Sequence, residues 1–347
     1  MAKTGYLPGD SESKQVWYAD LYDQVDKLQL LSNLEGGRDS VIHRKNDLNG
    51  SKGGIVNFGL VERLDQGFLP SGTTIEGNEG SLTTHFTSIT IEEKNMAIRD
   101  DGPLTRQSTC FDLDDEHKSV LARQVAENID REYITALQAN QDIIYYEVSG
   151  TATLTATLAT AQNAVTATDK LSPEMLTRLK NFALSYRGSG FSPLRPVDVG
   201  NGEKMLILLT NHDALSDMEN DSTFVAAQQH ALMRAKDNPL FKGAYAVWRN
   251  VIIFATDNGI QVGTATGGNT QPYVRSHLLG AQALCSAWVN DGMFVSRDFD
   301  YGREMGHAYL SMWETQKSRF TTNSGSNMTH GSIDVITARS ALTSLSL

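Results

Sequence analysis

At 347 residues, with 40% hydrophobic and 20% charged side chains and a formal net charge of -11, the chain is long enough for a sizeable core and too acidic for a broad nucleic-acid-binding surface. Its only two cysteines, Cys110 and Cys285, exclude a disulfide scaffold and a cysteine-built zinc site, and point to folding in a reducing compartment. The longest apolar runs, such as Met205–Leu209 and Val251–Ala255, are too short to span a bilayer, so neither a signal peptide nor a membrane anchor is expected.

Residues 16–34 place Val16, Trp17, Leu21, Val25, Leu28 and Leu31 near helical spacing, and the Gly36-Gly37 pair closes the stretch. The flanking segments lack a pattern that would make an independent core. Residues 1–50 therefore read either as an arm that needs a partner surface or as a helix packed on its own domain. From Gly54 the period changes to two, with Val56, Phe58, Leu60 and Leu64 on one face. A second strand-like run covers residues 83–98 and stops at the Asp101-Gly102-Pro103 turn signal. Between the two, Gly67, Pro70, Gly72, Gly77 and Gly80 suit an extended loop tip. The economical reading is a long antiparallel hairpin over about residues 54–100. Two strands alone are marginal in water, so the hairpin must lie on another surface, and a neighbouring subunit is favoured over its own core.

The strongest helix follows Asp112, Asp114, Asp115 and Glu116 and runs to Leu137, with Leu121, Val125, Ile129, Tyr133 and Leu137 repeating every four residues and Val120 and Ile134 widening the stripe. The acidic cluster sits where the helix dipole favours negative charge, a better account of it than metal ligation with His117. Residues 149–169 are a Ser/Thr/Ala-biased segment, either a short strand followed by a helix or a linker. Ser172-Pro173 opens an amphipathic helix carrying Met175, Leu176, Leu179, Phe182, Ala183 and Tyr186 on one face, with Gly188 past its end. Lys204–Thr210 and Trp248–Ala255 read as buried strands, and a helical region over residues 222–234 stops near Asn238-Pro239. A Gly/Thr-rich loop spans residues 259–270, and strand-like pieces follow at Ala283–Trp288, Tyr309–Trp313 and Ile333–Ala338. The class is α+β, without βαβ alternation or an internal repeat.

Catalytic signatures are absent: no Walker loop, nucleophile elbow, His-Glu-x-x-His or dinucleotide fingerprint occurs. The eight histidines are scattered, and neither a metal nor a cofactor is expected. Asn211-His212-Asp213 after a buried strand is the nearest approach to a polar constellation, and an α+β enzyme using it together with Asp298 and Asp300 is the competing class. Arg38, Arg44, Lys45 and Lys52 form a loose basic cluster that reads as solvated surface charge or as a patch touching DNA or an acidic neighbour.

Several stretches, in order, resemble the major capsid proteins of tailed phages, specifically the family typified by the coat protein of podophage N-four. They are Gly53-Gly54-Ile55-Val56-Asn57-Phe58, Thr74-Ile75-Glu76-Gly77-Asn78-Glu79, Phe111-Asp112-Leu113, Asn238-Pro239-Leu240-Phe241-Lys242-Gly243, Leu278-Leu279-Gly280-Ala281-Gln282-Ala283, and Asp300-Tyr301-Gly302 with Lys317 downstream. Gly80 departs from the family pattern, where a second acidic residue is expected. The resemblance implies the Hong Kong 97 (HK-97-like) capsid fold: an N-terminal arm (1–50), an extended hairpin called the E-loop (51–103), a peripheral domain with a long spine helix (104–171), an axial domain (172–300) and return strands to the peripheral domain (301–347). It further implies pentamers and hexamers of identical subunits closing an icosahedral head. Phe68, Ile75, Glu76, Gly77, Asn78 and Glu79 of the hairpin are then expected to make inter-subunit contacts. The implied partners are further copies of the chain, portal and possibly scaffolding or decoration proteins, and packaged double-stranded DNA held without sequence-specific binding. An encapsulin-like cellular nanocompartment shell shares the fold and is the alternative within the same class.

Overall fold

The computed structural model describes residues 31–340 apart from 47, 49–51, 62–66, 83, 109–112, 141, 186–192, 199–202, 231–245, 265–270 and 322–326. The expected helix over residues 16–34, except its last turn, lies outside the described residues, as do Cys110, Tyr186, Gly188 and Asn238-Pro239. That last turn, Leu31–Leu34, is a 3-10 turn. It leads into β1 (Glu35–Gly36), β2 (Ile42–Lys45), β3 (Ile55–Val61), β4 (Thr84–Thr90), β5 (Glu92–Arg99), α1 (Pro103–Ser108) and α2 (Leu113–Gln138). The middle of the chain forms β6 (Ile144–Val148), β7 (Thr151–Thr155), α3 (Leu158–Ala164), α4 (Pro173–Leu184), β8 (Val197–Asp198), β9 (Lys204–Thr210), α5 (His212–Glu219), α6 (Ser222–His230), β10 (Ala246–Trp248), β11 (Val251–Ala255) and β12 (Val262–Thr264). The last third is β13 (Pro272–Leu279), β14 (Leu284–Trp288), β15 (Met293–Phe299), β16 (Glu304–Lys317), β17 (Arg319–Thr321), β18 (Asn327–Thr329) and β19 (Ser332–Ala338).

The strands make two large sheets. A six-stranded sheet has the order β1-β2-β14-β16-β15, with β5 also on β16. A nine-stranded mixed sheet has the order β10-β11-β9-β13-β19-β6-β7, with β12 on β13 and β8 on β9. The 26-residue α2 lies against β16, β5 and β14 of the first sheet. It starts with Asp114, Asp115 and Glu116 in its first turn, where the unpaired N–H groups attract carboxylates. Leu121, Val125, Ile129, Tyr133, Ile134 and Leu137 form its buried stripe, but Val120 is exposed and does not widen it. Val120 lies one residue before Leu121, a rotation of about 100° that carries its side chain past the edge of the apolar face. Asp130 is buried in that stripe because its carboxylate accepts the Leu31 N–H at 3.3 Å.

Ser172 caps α4 by accepting from the Met175 N–H at 3.2 Å, with Pro173 at the first helical position. The Ser/Thr/Ala segment resolves as β7 followed by α3, the first of its two readings. Trp248–Ala255 is not one strand but the hairpin β10–β11, turned by Arg249 and Asn250 at φ of +41° and +69°. Two consecutive left-handed residues suit the right-handed twist of the strands they join. The run over residues 83–98 is likewise two strands. β4 pairs β3, Ile91 interrupts, and β5 crosses to pair β16 in the six-stranded sheet. The Thr- and Ile-bearing run before Ile91 gives way to Glu92-Glu93-Lys94-Asn95 after it, a local change at the point where the strand changes partner.

Candidate assembly surface

The hairpin expected to project is β3–β4, in register from Ile55↔Thr90 to Val61↔Thr84. Its alternation buries one face: Val56, Phe58 and Ile89 pack on Cys285 and Ala287 of β14. The base therefore rests on the chain's own core, which corrects the expectation that a neighbour supplies that surface. β2 helps to hold it. Lys45 Nζ donates to Asn57 O at 2.9 Å and lies 4.6 Å from the Phe58 ring centroid, with the His43 ring edge-on at 5.4 Å. The outer face leaves Ile55, Val61 and Phe86 exposed.

Beyond the base, every residue from 67 to 82 is exposed, including Phe68, Leu69, Ile75 and Leu82. This tip is braced by itself. Thr73 N–H donates to Pro70 O at 3.1 Å and Asn78 N–H to Ile75 O at 3.0 Å, closing two four-residue turns. The third residue of each is a glycine, Gly72 at φ +91° and Gly77 at φ +88°, as a type II turn requires. Glu79 accepts from the Gly77 N–H at 2.8 Å and Asn78 Nδ2 donates to Thr74 O at 2.9 Å. The polar residues of the Glu76-Gly77-Asn78-Glu79 loop thus build the turn, and the apolar side chains beside it stand in solvent. Phe68 and Ile75 are side chains that a partner surface would bury.

The remaining candidates are dispersed. Asn211 is the N-cap of α5, accepting from Ala214 N–H at 2.9 Å, and Asp213 pairs with Arg339. Asp298 and Asp300 lie at the far end of β15, in the other sheet. None of three concavities of about 320–330 Å³ formed by described residues is lined by His212, Asp213, Asp298 or Asp300. One, between α2 and the six-stranded sheet, is floored by Met96, Val125, Ile129, Tyr309 and Trp313. Lys94 lies at its rim, 4.6 Å from the Trp313 ring and 3.0 Å from Glu132. Another gathers Asp100, Arg106, Asp114, His117 and His307 where α1, α2 and β16 meet. His307 Nε2 lies 2.5 Å from Asp114 Oδ1, and burial holds the His307 pKa below its ordinary value despite that carboxylate. Among the described residues no three metal-type side chains converge, and no helix is long and apolar enough to cross a membrane.

The basic cluster is also taken apart. Arg44 pairs with Glu35 and Asp291 and covers the Trp288 ring, while Lys45 serves the hairpin base. Lys317 ends β16 in a buried polar knot. Asp334 accepts from Arg275 Nη2 at 2.5 Å and from His277 Nδ1 at 2.9 Å, and lies 3.3 Å from Lys317 Nζ. All four side chains are at most 2% exposed. Burial alone would raise the Asp334 pKa, but Lys317, His277 and Arg275 hold it well below the usual carboxylate range. Burial lowers the pKa values of His277 and Lys317. Sequence reading missed this knot because its members sit on three strands; the one available signal was the polar Arg275-Ser276-His277 stretch in the middle of β13, flanked by apolar residues.

The fold is shared with solved phage capsids. The capsid of Ralstonia phage GP4 superposes with a TM-score of 0.74 at 20% identity, covering 98% of this chain and 99% of that one. The cyanophage Pam1 capsid does so at 0.70 and 18% identity, over 90% and 92% of the two chains. In sequence the chain is 22% identical to the major capsid protein of Pseudomonas phage KPP25, across 96% of this chain and 97% of that protein. The HK-97-like architecture implied by the scattered motifs is therefore the one observed. With the phage capsid protein family pattern matching residues 9–342, the chain belongs to that family.

Proposed function

We propose that the protein is a major capsid subunit whose copies assemble into pentamers and hexamers and close an icosahedral head around phage DNA. The observation that carries this beyond family membership is the hairpin: a base fixed to its own core, and a self-braced tip with Phe68 fully and Ile75 largely in solvent. Such a tip has no role in an isolated monomer and a direct one in a shell, where a neighbouring copy buries it. Phe68 and Ile75 supply the apolar contact, Gly77 and Asn78 the turn, and Glu76 and Glu79 the charges that orient it.

We assign α2 and the six-stranded sheet to the peripheral domain and the nine-stranded sheet to the axial domain. This moves the strands at 284–299 from the axial to the peripheral part, because they pair with β16, and moves β6, β7 and β19 from the peripheral to the axial part, because they belong to the nine-stranded sheet. Portal and possibly scaffolding or decoration proteins, assembly in the host cytoplasm and the absence of enzymatic activity belong to the same reading. The net charge of -11 suits holding DNA without gripping it. Membership of a phage family favours a genome over the enzyme cargo of a nanocompartment. The test is expression of the full chain followed by electron microscopy and sedimentation, with and without the paired change Phe68→Ser and Ile75→Ser. Closed particles from the parent and none from the folded variant are expected; a parent that stays as small species with turnover of a substrate overturns the reading.

A further inference from the structure

The concavity between α2 and the six-stranded sheet takes no part in the hairpin or in the buried knot. Its shape follows from the alternation of β16, which brings Tyr309, Ser311 and Trp313 to one face, with Lys94 and Met96 beside them on β5. α2 closes the other side with Val125 and Ile129, four residues apart on its buried stripe. A serine between a tyrosine and a tryptophan leaves a hollow that the helix bridges instead of filling. The space is about 320 Å³, within the range of small-molecule sites and room for one compact molecule.

The lining points to the chemistry of an occupant. Tyr309, Trp313 and the Met96 thioether make an aromatic, polarizable floor. Trp313 is 2% exposed, and its indole Nε1–H is buried with no hydrogen-bond partner among the described residues. A buried donor left unpaired is costly, and an acceptor atom on a bound molecule relieves it. Trp288 stacks on the Trp313 ring, centroids 4.6 Å apart and planes 3° from parallel, so the ring is fixed in place. At the rim Lys94 is already neutralised, with Glu132 at 3.0 Å and Glu314 at 3.2 Å from its ammonium. Arg131 is not. It is exposed, its Nε donates to Asn258 Oδ1 at 3.3 Å, and no carboxylate pairs with it among the described residues. An aromatic floor, one buried donor and one free guanidinium at the mouth complement a flat apolar body that carries an anionic group.

We propose that this cavity binds a small aromatic anion, its ring laid on Tyr309 and Trp313 and its carboxylate or sulfonate held by Arg131. The site does not depend on the shell reading. A molecule seated there touches α2, β5 and β16 together, so it raises the melting temperature of the subunit with its concentration. The probe is 1-anilinonaphthalene-8-sulfonate, titrated by fluorescence into the full chain, with N-phenyl-1-naphthylamine as the same ring system without the charge. The variants are Arg131→Glu, Val125→Phe to fill the hollow, and the paired Phe68→Ser and Ile75→Ser change, which removes the exposed apolar side chains of the hairpin tip. One saturable site is expected. Arg131→Glu weakens the sulfonate at least about tenfold and leaves the neutral probe unchanged. Val125→Phe, folded by circular dichroism, loses both probes, and the tip variant keeps both. The site is refuted by the absence of saturable binding, by an Arg131→Glu affinity equal to the parent's, by loss of binding in the tip variant, or by a folded Val125→Phe that binds like the parent. Where Val125→Phe does not fold, Arg131→Glu, a change at an exposed position, decides.

Discussion

Asp334→Asn removes the one negative charge from a knot that is otherwise cationic. In the parent, Arg275 and Lys317 are at most 2% exposed, and the carboxylate is the acidic group that all three donors share. The amide keeps the volume and loses the charge. Arg275 retains Gln138 O at 2.8 Å and Gln261 Oε1 at 3.2 Å, but both cations are left deep in the fold with no countercharge in direct contact. Breaking a buried pair from one side costs about 3–5 kcal/mol. For a chain of 347 residues that is a drop of about 4–7 °C in melting temperature. Lys317→Met is the contrasting change: it removes a cation whose burial is unfavourable and fills the space, while Asp334 keeps Arg275 and His277. Its cost is expected below about 1 kcal/mol. Urea unfolding of the unassembled subunit, followed by circular dichroism, measures both. Equal losses for the two variants, or a loss under about 1 kcal/mol for Asp334→Asn, refute the reasoning.

Three further outcomes are expected. Burial lowers the pKa values of His277, His307 and His330, so the unfolded chain binds more protons than the folded one just below pH 6.5. Their contribution is complete above the unfolded value and is lost as the pH falls through the folded ones. A second loss follows below about pH 4 as Asp100, Asp114, Asp142 and Asp334 protonate, and chemical denaturation across pH 3–8 reads both. Cys285 is buried beside Ser318 with its thiol pushed up to about 11, so peptide mass mapping should find it unalkylated at neutral pH until denaturant is added. Gly77→Ala forces a Cβ into φ +88°, costing about 1–2 kcal/mol locally; hydrogen exchange at Gly77 and Asn78 should speed up while the melting temperature holds.

Legibility in the sequence followed the range of the interaction. α2, α4 and β9 were readable because a cap, an apolar stripe or a continuous apolar run is written in adjacent residues. The hairpin was readable for the same reason, but its resting place was not, since Cys285 and Ala287 lie far along the chain on β14, with β5 to β13 in between. The division at Ile91 escaped because it is decided by whether β3 or β16 is the available partner. Pro272–Leu279 went unmarked as a central strand because Arg275 and His277 break its apolar run, and the carboxylate they share, Asp334, comes from β19. In the proposed assembly surface, Glu76-Gly77-Asn78-Glu79 was legible as a turn. The positive φ of Tyr301, +56° between β15 and β16, was not legible, because nothing in Asp-Tyr-Gly announces a left-handed tyrosine.

β16 has a mechanical consequence. Its 14 residues span about 46 Å at the rise of an extended strand. Along that length it is hydrogen-bonded to β15, then to β5, then to β14, and its end is tied by Lys317 to Asp334 of the other sheet. Tension applied along the strand loads those ladder bonds in shear, many at once, rather than unzipping them one by one. A wall that contains pressure is stretched in its own plane, and β16 is the continuous member in each subunit that carries such a load from one sheet to the next.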